Sequence, residues 1–178
     1  HLDLSMDQIE EALEITKEEN GNSDEESLLI KRLAHYGKID VCEIMHPRVD
    51  VFALDFETPY TEVKKQVIAT GYSRIPVYKE SFDTIVGVLY VKDLLPYIDE
   101  NDSFVWTSLL RSAYFVPENK KIDELLTEFQ TQRIHLAIVV DEYGGTCGVV
   151  TLEDILEEVL GEIADESDGV EKMYTQLD

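Results

Sequence analysis

Two stretches of this chain carry the same pattern, and that repetition constrains the fold more than any other feature. In "GVLYVKDLL" (87–95) and "GVVTLEDIL" (148–156), Gly87, Val88, Asp93 and Leu95 match Gly148, Val149, Asp154 and Leu156 at an offset of 61. Upstream, "FALDFETPYTEV" (52–63) aligns with "YFVPENKKIDEL" (114–125) at an offset of 62, the difference being absorbed near Thr70–Ser73. Two copies of about 60 residues are too long and too few for a solenoid. They predict a tandem of two similar small domains.

Each copy shows the same order of signals. A short strand comes first, Val51–Leu54 and Tyr114–Pro117. A helix follows: one capped by Thr58, with Pro59 at its first position and an end near Thr70, the other over Lys121–Gln132. An apolar strand comes next, 74–78 and 135–140, then a second strand, Ile85–Val91 and Cys147–Val150. A helix closes the unit, Val91–Tyr97 and Leu152–Gly161. "DEYGG" (141–145) reads as a hairpin turn whose glycines supply positive φ. The order β-α-β-β-α, given twice, places the chain in the α+β class.

The first forty residues are helical in pattern, with capping boxes at Ser5/Gln8 and Ser23/Glu26. The tail after Asp165 lacks periodicity. The chain starts at His1 and is expected to be a piece of a longer protein, with His1 a tag remnant. Its 44% hydrophobic content suffices for a core. With 15 Lys plus Arg against 38 Asp plus Glu, the net charge is −23. That excludes sequence-independent nucleic-acid binding, which needs a basic surface, and docking on anionic lipid. Cys42 and Cys147 form no CxxC and are expected to be buried free thiols. No run of about 18 apolar residues is present to span a membrane.

The duplicated order, with "G-apolar-apolar-T-x-x-D" at the last strand–helix corner, resembles a CBS domain pair, or Bateman module. "IMHPRVDV" (44–51), "YSRIPVY" (72–78), "VGVLYVKDLL" (86–95) and "HLAIVVDEYGGTCGVVTLEDILEEVLGEI" (135–163) resemble its CorC/hemolysin-C branch, which includes the cyclin-M type magnesium transporters. The resemblance covers roughly residues 40–165. It implies a helical linker from a membrane domain (1–40), CBS domain 1 (41–100), CBS domain 2 (101–165) and a tail toward a C-terminal domain (166–178). It further implies a homodimer of CBS pairs at the cytoplasmic face of the cell membrane, regulating divalent-cation (magnesium/cobalt) transport. The alternative is a ligand-free dimerisation scaffold of a hemolysin-like or gliding-motility-associated membrane protein.

Binding an adenine nucleotide without catalysis needs an apolar slot for the base, an acceptor for two ribose hydroxyls, and donors or cations for phosphate. A strand-to-helix corner presents backbone N–H groups and the positive end of a helix dipole. Thr151 can cap that helix and face a phosphate, and Asp154 can accept both ribose hydroxyls. The family assigns nucleotide binding to these two positions. Read from spacing alone, they are equally an ordinary N-cap and first-turn acid. In the first copy Tyr90 replaces the threonine while Asp93 remains, so one competent site per pair is expected. The resemblance adds contacts from "MHPR", where His46 stands in place of a small hydroxyl residue. Phosphates among Glu153, Asp154, Glu157 and Glu158 need cations, and Arg48, Arg74, Arg133 and a nucleotide-bound Mg²⁺ are candidates. Ser73, beside Arg74, completes the candidate set. The expected ligand is Mg–ATP, with AMP or ADP as variants. Arg74 is alternatively a salt bridge between the copies, and Arg48 one to Asp50 or Glu43. His35 and His135 lack partners at metal-ligand spacing, and Trp106 is expected to pack between the copies. No GxSxG, HExxH or GxxxxGK[ST] supports an active site.

Overall fold

The computed structural model describes residues 38–158. They fall into two compact units, one of 38–45, 117–136 and 150–158, the other of His46–Val116 and Ala137–Val149. Each unit draws on both copies of the repeat. The expected linker helices, with His35, and the tail lie outside the described residues, apart from 38–40.

In the larger described unit, β2 (Leu54–Asp55), β3 (Arg74–Lys79) and β4 (Ser81–Tyr90) form a sheet in the order β2-β3-β4. β2 and β3 run parallel with Leu54 opposite Val77, so the chain must cross over between them, and helix α1 (Tyr60–Thr70) makes that crossover. Tyr60, Val63 and Val67 lie on one stripe of α1 and are buried with Leu54, Ile75, Val77, Leu89, Leu94 and Trp106. α1 ends at Gly71, whose φ of +73° lets its N–H return to the Val67 carbonyl at 3.1 Å.

The start of α1 differs from expectation. Pro59 is extended and flanks the helix, and no side chain of the preceding residues caps it. Instead the Thr61 N–H donates to Asp102 Oδ1 at 2.7 Å. The Asp102 carboxyl is held below the usual carboxylate range because the Thr61 hydroxyl and N–H both donate to it. Trp106 does not pack between the copies. It is buried in the core of the first copy, its indole N–H donating to the Thr58 carbonyl at 2.7 Å. The segment closing the first copy, Val91–Tyr97, is a 3-10 helix rather than an α-helix. Pro96 lies inside it, and proline removes an N–H and crowds the preceding turn.

β1 (His46–Pro47), β5 (Phe115–Pro117), β6 (Leu136–Val140) and β7 (Thr146–Thr151) form a second sheet, in the order β1-β7-β6-β5. In the β6–β7 turn Asp141 Oδ1 accepts the N–H groups of Tyr143 and Gly145, both at 2.9 Å. The expected positive φ falls on Gly144 alone, at +82°. β1 belongs to the first copy yet pairs antiparallel with β7 of the second, His46 opposite Val149. The converse also holds. Arg111, leading into the second copy, bridges Val88 of β4 through N–H···O bonds of 3.0 and 2.9 Å. Gly87 permits that approach: a Cβ there would lie 2.9 Å from the Arg111 carbonyl oxygen and 3.0 Å from Leu110 Cβ.

The other unit contains α2 (Ile122–Gln132), which buries Ile122, Leu125, Leu126 and Phe129, and α3 (152–158), which buries Leu152 and Ile155. With β5, α2, β6, β7 and α3, the second copy repeats the element order of the first, and the α+β class is as expected. Neither cysteine forms a disulfide, but Cys42 is exposed and Cys147 half-buried, contrary to the expectation of two buried thiols.

Candidate functional site

The second-copy corner is built where β7 gives way to α3. Thr151 is the last residue of β7, and the chain turns into the helix at Leu152. Leu152 donates its N–H to the His135 carbonyl at 3.0 Å, which ties the corner to the start of β6. The Asp154 N–H donates to Thr151 Oγ1 at 3.1 Å, and the Thr151 N–H donates to Asp154 Oδ2 at 2.8 Å. This is a reciprocal capping box with aspartate as the acid. The structure therefore brings Thr151 and Asp154 together, both half-buried, and in the geometry of an ordinary cap. Cap and ligand roles are compatible. The threonine hydroxyl that accepts from Asp154 still has its own proton to donate, and a carboxylate has about four acceptor positions.

The first-copy corner shares a backbone bond with the second but opens a 3-10 helix and has a different filling. The Val91 N–H donates to the Ser73 carbonyl at 2.9 Å, the counterpart of Leu152 on His135. Tyr90 stands at the corner. Asp93 is gripped by Arg111, whose Nε and Nη2 donate to Oδ2 and Oδ1, each at 2.9 Å. The guanidinium carbon lies 4.1 Å from the Tyr90 ring centroid. Arg111 holds the Asp93 carboxyl below the usual range, and Asp93 pushes the guanidinium up in turn. Arg74, registered opposite Tyr90, lies 5.5 Å from the same ring and Lys92 5.9 Å. Sequence reasoning missed Arg111, although a signal was present: it is the only Lys or Arg between Lys92 and Lys120.

Of the remaining candidate residues, His46, Arg48, Ser73 and Arg74 lie in the unit of His46–Val116 and Ala137–Val149, and Arg133 lies with Thr151 and Asp154 in the other. His46 is exposed on β1. Ser73 contributes its carbonyl to Val91, and Arg74 opens β3. Arg48 pairs neither with Asp50 nor with Glu43. Its Nη1 donates to Asp83 Oδ1 at 2.8 Å and to the Thr146 carbonyl at 3.1 Å, and its guanidinium lies over Phe82 at 5.4 Å. Asp83 also accepts the Thr146 N–H at 3.1 Å, and these bonds, the Thr146 N–H foremost, hold its carboxyl below the usual range. Among the described residues no group of three or more His, Cys, Asp and Glu could hold a metal ion, and no helix is long and apolar enough to cross a membrane.

The described residues hold two strand-to-helix corners related by the repeat, at Tyr90–Val91 and Thr151–Leu152. The CBS domain family model matches residues 41–100 and 108–161. The chain belongs to the CBS domain family. Hemolysin C of Brachyspira hyodysenteriae is 48% identical over 128 residues, 72% of this chain and 47% of that protein. The magnesium and cobalt efflux protein CorC of Salmonella typhimurium is 45% identical over 129 residues, 72% of this chain and 44% of that protein. The CBS pair thus spans less than half the length of these two relatives. Among solved structures, the CBS domain of the bacterial CNNM/CorC family Mg²⁺ transporter in complex with ATP is 44% identical. It superposes with a TM-score of 0.70, covering 78% of this chain and 99% of that one.

Proposed function

We propose that this CBS pair is the nucleotide-responsive regulatory part of a CorC-like membrane protein of divalent-cation transport, and that its Thr151/Asp154 corner receives the ribose and phosphate of Mg–ATP. One observation carries the reading. The two side chains that can meet a ribose diol and a phosphate converge at one helix start, in a chain 44% identical to a CBS domain that holds ATP. Asp154 accepts the ribose hydroxyls, a charge-assisted pairing worth roughly 1.5–3 kcal/mol per bond. The Thr151 hydroxyl and the α3 N-terminus face the phosphates. Magnesium offsets phosphate charge that the acids around the corner repel. The module acts by binding, without catalysis. Two such pairs form a dimer at the cytoplasmic face of the membrane, and ATP shifts it by binding one arrangement more tightly than the other.

Calorimetry with ATP, with and without Mg²⁺, on the chain and on Asp154→Ala tests this. Magnesium-dependent binding that weakens tenfold or more on substitution, about 1.4 kcal/mol, is expected. Alanine at His46, Ser73 or Arg74 in turn scans the other candidates, a tenfold loss assigning each to the nucleotide. A second reading, a scaffold that keeps the fold without its ligand, is favoured by the filled first corner and by the engagement of Arg48 with Asp83. Absence of heat and of any thermal shift at millimolar ATP would select it.

A further inference from the structure

The two corners share a backbone bond, Val91 N–H to the Ser73 carbonyl and Leu152 N–H to the His135 carbonyl, and the strand leading into each is bridged by a residue from the start of the other copy. His46 stands opposite Val149, and Arg111 stands opposite Val88, 61 residues earlier. Arg111 is thus to β4 what His46 is to β7. What it does there is specific. Its guanidinium meets the Asp93 carboxylate through two parallel bonds and covers the face of Tyr90. A carboxylate that could accept a ribose diol and an aromatic face that could stack a purine are both taken by one side chain of the same chain. Lys92 sits near the same ring, so a cation for phosphate is already in place.

We infer that the first-copy corner is a second adenine-nucleotide site filled from within, with the Arg111 guanidinium as its occupant, and that Arg111 sets the binding of one nucleotide per chain rather than two. The inference rests on the reading of the chain as a nucleotide-binding module. Tyr90 in place of threonine does not by itself close the corner, since with the guanidinium removed its ring offers a stacking face. The close packing at Gly87 keeps the Arg111 backbone against β4, so the plug is held by the strand exchange and not only by its ion pair.

The test is the number of Mg–ATP molecules bound per chain, measured by calorimetry and equilibrium dialysis. The chain itself is expected to bind one and Arg111→Ser two. Tyr90→Thr combined with Arg111→Ser restores a threonine–aspartate corner and is also expected to bind two. Adding Asp93→Ala removes the gained site, and adding Asp154→Ala removes the original one. The Arg111 side chain is 46% exposed, and near-ultraviolet circular dichroism checks that each variant folds. One ATP per chain in both Arg111 variants overturns the inference, as do two in the chain itself. A chain that binds no ATP overturns the nucleotide reading instead. In that case a site gained on Arg111→Ser still supports the plug, and no gain ends it.

Discussion

At the scale of single residues, two long-range ion pairs, Arg48–Asp83 and Arg111–Asp93, fix charged side chains of the first copy. Asp93 illustrates the consequence for pH. Its folded value is depressed by Arg111, so the pair contributes stability that is fully present above the unfolded value near 3.9 and is lost as pH falls through the folded one. The bidentate geometry, with side chains 46% and 25% exposed, makes the pair worth about 1 kcal/mol at most. Arg111→Met keeps the stem and removes both bonds. Urea melts should show a stability gap of that size at pH 7, narrowing as pH falls below about 4. Charge repulsion across the rest of the molecule acts on both proteins and cancels in the difference. A gap unchanged at pH 3 would mean that packing on Tyr90, not the ion pair, stabilises the corner.

At the scale of elements, the local pattern was readable and the long-range pairing was not. The short apolar run in 74–78, buried at three successive positions, and the stripe Tyr60, Val63, Val67 determine β3 and α1 through burial of neighbouring positions, and a local window reports that. Thr151 and Asp154 were likewise legible, because a capping box is a signal four residues long. The cap of α1 was not, since Asp102 reaches Thr61 from 41 residues away. Nor was the exchange of β1 and Arg111 between copies, which is decided by sheet edges that no short window contains. Pro96 did carry the signal that the closing segment of the first copy is not α-helical. The exchange itself can be tested at Gly87. Gly→Ala at an unstrained position stabilises slightly by limiting the unfolded chain. Here the new Cβ meets the Arg111 carbonyl oxygen at 2.9 Å, and backbone must shift. Gly87→Ala should therefore destabilise by roughly 1–3 kcal/mol in urea melts. A neutral or stabilising effect would show that the two strands can part without loss.

For the whole molecule the dominant quantity is its net charge of −23, which sets the sign of long-range interaction with any nucleotide. ATP is strongly anionic, so the field of the protein opposes its arrival while local donors favour it. The two contributions respond oppositely to salt. Raising KCl from about 20 to about 150 mM shortens the screening length from roughly 20 Å to 8 Å. That suppresses the repulsion summed over distant acids more than it weakens bonds made in contact. Hydrogen bonds from the Thr151 hydroxyl and to Asp154 carry no net ion pairing with phosphate, so they give little opposing slope. ATP affinity measured in a chelator should therefore rise with KCl across this range. Magnesium removes two of the ligand's negative charges, so with Mg²⁺ present the rise should flatten. An affinity that instead falls with salt would mean that lysine and arginine in contact with the phosphates outweigh the field of the whole chain. It would also move the phosphate site away from the acid-lined start of α3 and toward the cations Arg74 and Lys92.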